Sequence, residues 1–226
     1  MRILIVAATD AEVPPFGATV SQRPEIHPRV KIVEHRRHQI HVLVSGVGMV
    51  ATAAWCSKML SQSSYDLAIN LGVCGSFDSS LELGQVVHVT SDCVAALGAE
   101  DDNEFLTIYD LKLADGDEFP FTGGRLVNSA PPPGATLASL SKVDGITVNT
   151  VHGNEPSIAN VIELFHPQVE SMEGAAFMYA CLIHQVPFAQ VRAVSNFVEK
   201  RNREAWTLAD AIRNLSDVAL RIIEEV

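Results

Sequence analysis

Two stretches decide how this chain is read. The first is Val169-Glu170-Ser171-Met172-Glu173-Gly174-Ala175-Ala176, and the second, further on, is Val191-Arg192-Ala193-Val194-Ser195-Asn196. The first puts two acidic side chains at the mouth of a helix. The second ends an apolar strand on a polar Ser-Asn pair. Open α/β sheets hold small ligands at the carboxyl ends of their strands, so both stretches carry polar groups to where a ligand is expected. A carboxylate such as Glu173 accepts two hydroxyl hydrogen bonds at once, which suits a diol. The carboxamide of Asn196 offers acceptor and donors on one planar group, which suits the edge of a heterocycle.

Working outward, strands and helices mostly alternate, so an α/β fold is expected: one domain over residues 1–226, a three-layer α/β/α sandwich with a mixed, largely parallel sheet. Strands are read at Arg2–Ala8, Arg29–Glu34, Gln39–Ser45, Leu67–Leu71, Gln85–Ser91, Gly145–Thr150 and Phe188–Ser195. Thr9 and Asp10 are read as capping a helix with Glu12 in its first turn, Pro14 and Pro15 being tolerated near that start. Helices are read at Met49–Leu60, from Pro156 behind an Asn154 cap, at Glu173–Gln185, and from Trp206 to Glu225. In the last of these, Leu208, Ala211, Ile212, Leu215, Val218 and Ile222 recur at helical spacing. Asn70-Leu71-Gly72-Val73-Cys74-Gly75-Ser76 reads as a glycine turn after a strand, with Ser76 near a ligand, and Asp92 to Gly124 as a long acidic excursion.

Composition narrows the partners. A net charge of −11 argues against nucleic acid and anionic membranes. No apolar run approaches a membrane span, and the start is strand-like rather than a signal peptide. Cys56, Cys74, Cys93 and Cys181 are far apart, without metal-ligand spacing. Buried free thiols in a cytoplasmic protein are expected, with no metal and no cofactor.

Gly46-Val47-Gly48-Met49-Val50-Ala51 fits the dinucleotide fingerprint as a string, but Asp66 starts the next strand where the fingerprint wants an acidic residue at its end. A tight turn needing glycine is the better reading. Glu12 alone would be a surface group complementing a helix dipole. It gains a catalytic reading because Glu12, Glu173 and Asn196 all fall beyond strand ends on one edge of the sheet. His152, beside Gly153, sits in a strand-to-helix turn facing the pocket. His27, His35, His38, His41, His88, His166 and His184 read as surface or core residues.

These segments, together with Ala8-Thr9-Asp10-Ala11-Glu12 and Ser45-Gly46-Val47-Gly48, resemble the purine nucleoside phosphorylase and nucleosidase superfamily across nearly the whole chain. The likeness falls in the branch that cleaves adenosyl thioethers, and within it is nearest to the futalosine hydrolase family. The resemblance implies hydrolysis of an N-ribosyl bond through an oxocarbenium-like sugar, with release of hypoxanthine, on the way to menaquinone. It implies Glu12 as the base that activates water and Glu173 as the ligand of the ribose hydroxyls. Met172 packs on the sugar, and Asn196 faces N7 and the six-position, with Ser195 orienting the base or Asn196. Thr150-Val151-His152-Gly153 lines the base pocket. A homodimer or larger homo-oligomer is implied, with a neighbour's loop, Phe105 a candidate within it, closing the 5′ side. Arg201 or Arg203 is the candidate cation for a carboxylate on the 5′ tail.

Two departures from the family sharpen the reading. The positions that hold phosphate in the phosphorylases match Asn70 and Val73, and no arginine is expected near Glu12, so water is the expected nucleophile. Asn196 stands where adenine-cleaving relatives have aspartate. Its NH₂ suits a six-oxo group and its carbonyl a protonated N7, with solvent as the proton source. The competing readings are a six-oxopurine phosphorylase, a methylthioadenosine-type nucleosidase, a dinucleotide oxidoreductase and a non-catalytic purine binder.

Overall fold

The computed structural model describes residues 1–16, 20–21, 29–102 and 104–226. Its strands are β1 (Arg2–Ala7), β2 (Val20–Ser21), β3 (Val30–His35), β4 (His38–Val44), β5 (Leu67–Ser76), β6 (Val86–Asp92), β7 (Gly98–Asp101), β8 (Glu104–Thr107), β9 (Leu126–Val127), β10 (Ser141–Thr147), β11 (Val169–Ser171) and β12 (Phe188–Phe197). Its helices are α1 (Met49–Gln62), α2 (Ala135–Ser139), α3 (Glu155–Phe165), α4 (Gly174–Ile183) and α5 (Leu208–Glu225).

The main sheet runs β11-β10-β6-β12-β5-β1-β4-β3-β2. It is mixed. The neighbours β4, β1, β5 and β12 are parallel to one another, and antiparallel pairs such as β3–β4 and β6–β12 flank them. Alternation along β1 shows why the chain forms three layers. Ile3 and Ile5 face a core shared with Ala211, Leu215, Ala219 and Ile222 of α5. Leu4 and Val6 face the opposite core, with Cys56, Met59 and Leu60 of α1 and Phe177, Met178 and Cys181 of α4. A strand buried on both faces reads as an unbroken apolar run, as Ile3–Ala7 does. The four cysteines are free and buried, and burial pushes the Cys56 and Cys74 thiols up to about 12.

Three readings of the sequence change. The helix expected after Thr9 is a single 3-10 turn, Asp10–Glu12. Pro14 excludes the α conformation at the residue before it, and Val13 is extended. The expected turn Gly72–Ser76 continues β5, pairing with β12 up to Phe197↔Ser76. The excursion after Asp92 contains the hairpin β7–β8. Asn154 caps α3 as expected, its side chain accepting from the Ser157 amide at 3.0 Å.

Candidate active site

Glu12 and Glu173 reach one place from opposite directions, and both are buried. Glu12 is fixed by its own turn: Oε2 accepts from Thr9 N at 2.9 Å and Thr9 Oγ1 at 3.0 Å, a capping box that turns the side chain back over β1. Its Oε1 accepts from the Val73 amide at 3.2 Å. Glu173 precedes α4, and its Oε1 accepts from the Gly48 amide at 3.0 Å. Gly48 has φ +97°, a conformation that L side chains rarely adopt. The Gly46–Gly48 turn is therefore a tight turn that aims the start of α1 at Glu173.

Arg192 sits beside Glu173, with 1% of its side chain exposed. It contradicts the expectation that no arginine stands near Glu12. Its Nη2 donates to Asn70 Oδ1, and its Nη1 lies 3.5 Å from Glu173 Oε2. A Cβ added at Gly72 would stand 2.1 Å from Arg192 Nη1 and 3.2 Å from Glu12 Oε1. Both charged groups therefore lie against the bare backbone of Gly72, and glycine is there for space rather than for a turn. Asn70 is spent as well, its Nδ2 donating to Val6 O at 2.9 Å. A buried arginine held this way gives the buried Glu173 carboxylate its counter-charge in a low dielectric. It sits four residues before Asn196 in the same strand. The signal that could have found it is its place as the one charged residue in the run Phe188–Ser195, where burial demands a partner.

At the other end of the site, β12 bulges at Ser195, between Val194 and Asn196. Ser195 Oγ lies 3.2 Å from Cys74 O and 2.9 Å from Asn196 Oδ1. Asn196 Nδ2 donates to Phe197 O at 3.0 Å. A carbonyl only accepts, so the NH₂ must face Phe197 and the carboxamide has one orientation. Asn196 and Glu170 both pair with Gly75, from the two strands flanking β5. They line one small cavity with Gly75, Val151, His152 and Trp206. His152 is pinned to Glu170 by both its amide and its ring.

Not every expected residue reaches the site. Ser76 is buried and turned away, its hydroxyl engaged with Asp78 and Gln168 O, because Ser76 completes β5 instead of standing in a ligand-facing turn. Met172 is half-buried next to Glu173. Arg201 stacks on Trp206 with 5.6 Å from guanidinium carbon to ring centroid and lines the Asn196 cavity. That places it at the carboxamide end. Phe105 lines a groove of about 400 Å³ with Asn149, Thr150, His152 and Leu164 of its own chain. His27 and the side chain of Arg203 lie outside the described residues. No helix among the described residues is long and apolar enough to cross a membrane.

Beneath the site, Asp92 buttresses α4. Its Oδ1 accepts from Thr147 Oγ1 at 2.9 Å and its Oδ2 from Gln190 Nε2 at 3.0 Å, while Thr147 Oγ1 accepts from the Ala175 amide at 2.7 Å. Burial pushes the Asp92 carboxyl up to about 6, against the pull of those hydrogen bonds and of Arg192 and Arg125. A raised folded pKa favours the fold at low pH. The contribution is full below the unfolded value of 3.8 and is lost as pH rises through about 6. Its size is about 3 kcal/mol, from roughly 1.4 kcal/mol per unit. Asp92→Asn is expected to abolish this slope because a carboxamide does not titrate, and to keep the fold because Gln190 can turn its unpartnered Oε1 to accept from the new NH₂. Thermal melts from pH 4 to 7 should show the wild type losing ground to the variant as pH rises.

The fold and the two-carboxylate site define a member of the phosphorylase superfamily. The family model described as the phosphorylase superfamily matches residues 2–225, and the chain belongs to that family. Within it the chain belongs with the futalosine hydrolases. It is 33% identical to the futalosine hydrolase of Streptomyces coelicolor over 183 residues, 78% of this chain and 75% of that protein. Two solved structures show the same fold. The native futalosine hydrolase of Helicobacter pylori aligns with a TM-score of 0.82 at 15% identity, covering 100% of this chain and 98% of that one. The 5′-methylthioadenosine/S-adenosyl homocysteine nucleosidase of the same organism aligns at 0.82 and 16%, covering 100% and 99%.

Proposed function

We propose that this protein hydrolyses the N-ribosyl bond of futalosine and releases hypoxanthine, a step of menaquinone biosynthesis by the futalosine route. The observation that carries the chemistry is the convergence of Glu12 and Glu173 on the Gly72–Arg192 contact, with the fixed carboxamide of Asn196 four residues further along the strand of Arg192. The similarity to futalosine hydrolases supports the choice of substrate.

In this reading Glu173, anchored by Gly48 and Arg192, accepts the ribose hydroxyls and stabilises the positive charge that develops on the sugar. Glu12 takes a proton from a water that attacks the anomeric carbon, a step typically worth 10²–10⁴-fold. Met172 packs on the sugar, and Val151 and His152 border the base. Arg192 holds Glu173 and is occupied by Asn70 and Glu173, which favours water over phosphate as nucleophile. The NH₂ of Asn196 donates to the six-oxo group. A homodimer or larger assembly in the cytoplasm belongs to the same reading. Val47, Val50, Leu113 and Phe119 are exposed apolar residues that a second copy would cover.

The test is to incubate the protein with futalosine, inosine and methylthioadenosine, with and without phosphate. Release of hypoxanthine from futalosine, indifferent to phosphate, is the expected result. Phosphate dependence would make the protein a phosphorylase, and preference for methylthioadenosine would overturn the assignment of Asn196. Asn196→Asp is expected to shift the ratio of six-oxo to six-amino turnover at least about fivefold toward six-amino substrates. That follows from opposing a carboxylate oxygen to the six-oxo group, at a cost of about 1–3 kcal/mol. The ratio of kcat/KM for inosine and adenosine reads it.

A further inference from the structure

We infer that His152, oriented by Glu170, supplies the proton to the departing purine. The inference rests on the nucleosidase reading above and replaces solvent, the source expected from sequence.

A purine anion is a poor leaving group, so cleavage is eased when a donor protonates a ring nitrogen as the glycosidic bond breaks. Asn196 is fixed at the base end, but a carboxamide donates hydrogen bonds and does not give up a proton. Across Gly75 from it stands a group that can. Glu170 is buried, with 4% of its side chain exposed. Its Oε1 accepts from the His152 amide at 3.1 Å, and its Oε2 meets His152 Nδ1 at 2.7 Å.

This double grip fixes the imidazole. With Nδ1–H held by the carboxylate, a protonated ring has Nε2–H left to donate, and Nε2 makes no hydrogen bond among the described residues. The cavity shared by Asn196, Gly75 and Glu170 has His152 in its wall. A Cβ at Gly75 would lie 3.3 Å from Asn196 Nδ2 and 3.5 Å from Glu170 Cγ. Val198 Cγ2 would be nearer still, at 2.8 Å, so the bare backbone of Gly75 lets the carboxamide and the Glu170 side chain that holds His152 close in on one point together with Val198. His152 also borders the groove of about 400 Å³ and is 17% exposed, so it can be reprotonated from solvent.

The step balances. The electron pair of the C1′–N9 bond goes to the purine, and Nε2–H of the imidazolium passes its proton to N7, leaving neutral imidazole. Water gives hydroxide to C1′ and its proton to Glu12. The proton on Glu12 returns to solvent, and His152 recovers one from it. His152 is then a catalytic residue, and Glu170 a positioning residue that fixes the ring.

The experiment compares leaving groups. His152→Gln and Glu170→Gln are assayed on futalosine and on p-nitrophenyl β-D-ribofuranoside, whose phenolate leaves without protonation. His152→Gln is expected to lose at least about 100-fold in kcat on futalosine and to stay within a few-fold of wild type on the aryl riboside. Glu170→Gln should show the same selectivity with a smaller loss. Free imidazole is expected to restore futalosine turnover to His152→Ala, a second readout that does not need the aryl riboside. Equal losses on both substrates without imidazole rescue, or no loss on futalosine, would overturn the assignment. A wild type inert on futalosine and active on inosine would instead fault the substrate, and the same variants read on inosine would still decide the role of His152.

Discussion

Glu12→Gln is expected to lower kcat for hypoxanthine release by 10²–10⁴-fold, with little change in KM or in the folded structure. A glutamine keeps the length and shape of the side chain but cannot take a proton from water. The local structure should survive. Glutamine still has one oxygen for the Val73 amide or for Thr9, and Thr9 Oγ1 can rotate to accept from the new NH₂. The cost of leaving one amide poorly paired is about 1 kcal/mol. Steady-state kinetics on futalosine, paired with a thermal melt, separates lost chemistry from lost structure. Activity within tenfold of wild type would remove Glu12 from its role.

Gly72→Ala should damage both activity and stability, although the added group is a single methyl. That methyl would stand 2.1 Å from Arg192 Nη1, so the guanidinium must leave its place. Arg192 is held there by Asn70 and Glu173. Displacing it leaves the buried Glu173 carboxylate without its counter-charge. Breaking a buried pair of this kind costs about 3–5 kcal/mol. The expected result is a fall in kcat/KM of at least about 100-fold, because Glu173 loses the group that holds it in place. A melting temperature lower by several degrees should accompany it. Kinetics and calorimetry on the one variant check both. Near-wild-type behaviour would show that the Arg192 contact is dispensable.

How much of this was legible in the sequence differs from residue to residue. Glu12 and Glu173 could be singled out because each follows a strand, and strand ends are where an α/β sheet gathers polar groups; Asn196 was read as just past its strand, whereas it lies within the last residues of β12, beyond the bulge at Ser195. Asn154 was legible as a cap because its signal is local. Arg192 was missed because it lies inside a strand, where pattern reading assigns a side chain to a face but cannot name its partner. Glu170 likewise was seen only as part of a helix mouth. Its strand, Val169–Ser171, is held by long-range pairs to β10 and β5 that nothing nearby announces. Gly72 and Gly75 were read as a turn since glycine punctuates chains, yet both sit in β5 to leave room for side chains arriving from other strands. Ser76 was lost to the same error, because a strand residue facing the interior spends its hydroxyl on backbone.

The central step proposed is attack by water on a ribose held between two glutamates. Its most direct test is hypoxanthine release from futalosine by the purified protein in phosphate-free buffer. Sustained turnover, unchanged when phosphate is added and yielding no sugar phosphate, is the predicted result. Release that begins only on addition of phosphate, with a ribose 1-phosphate product, would contradict it.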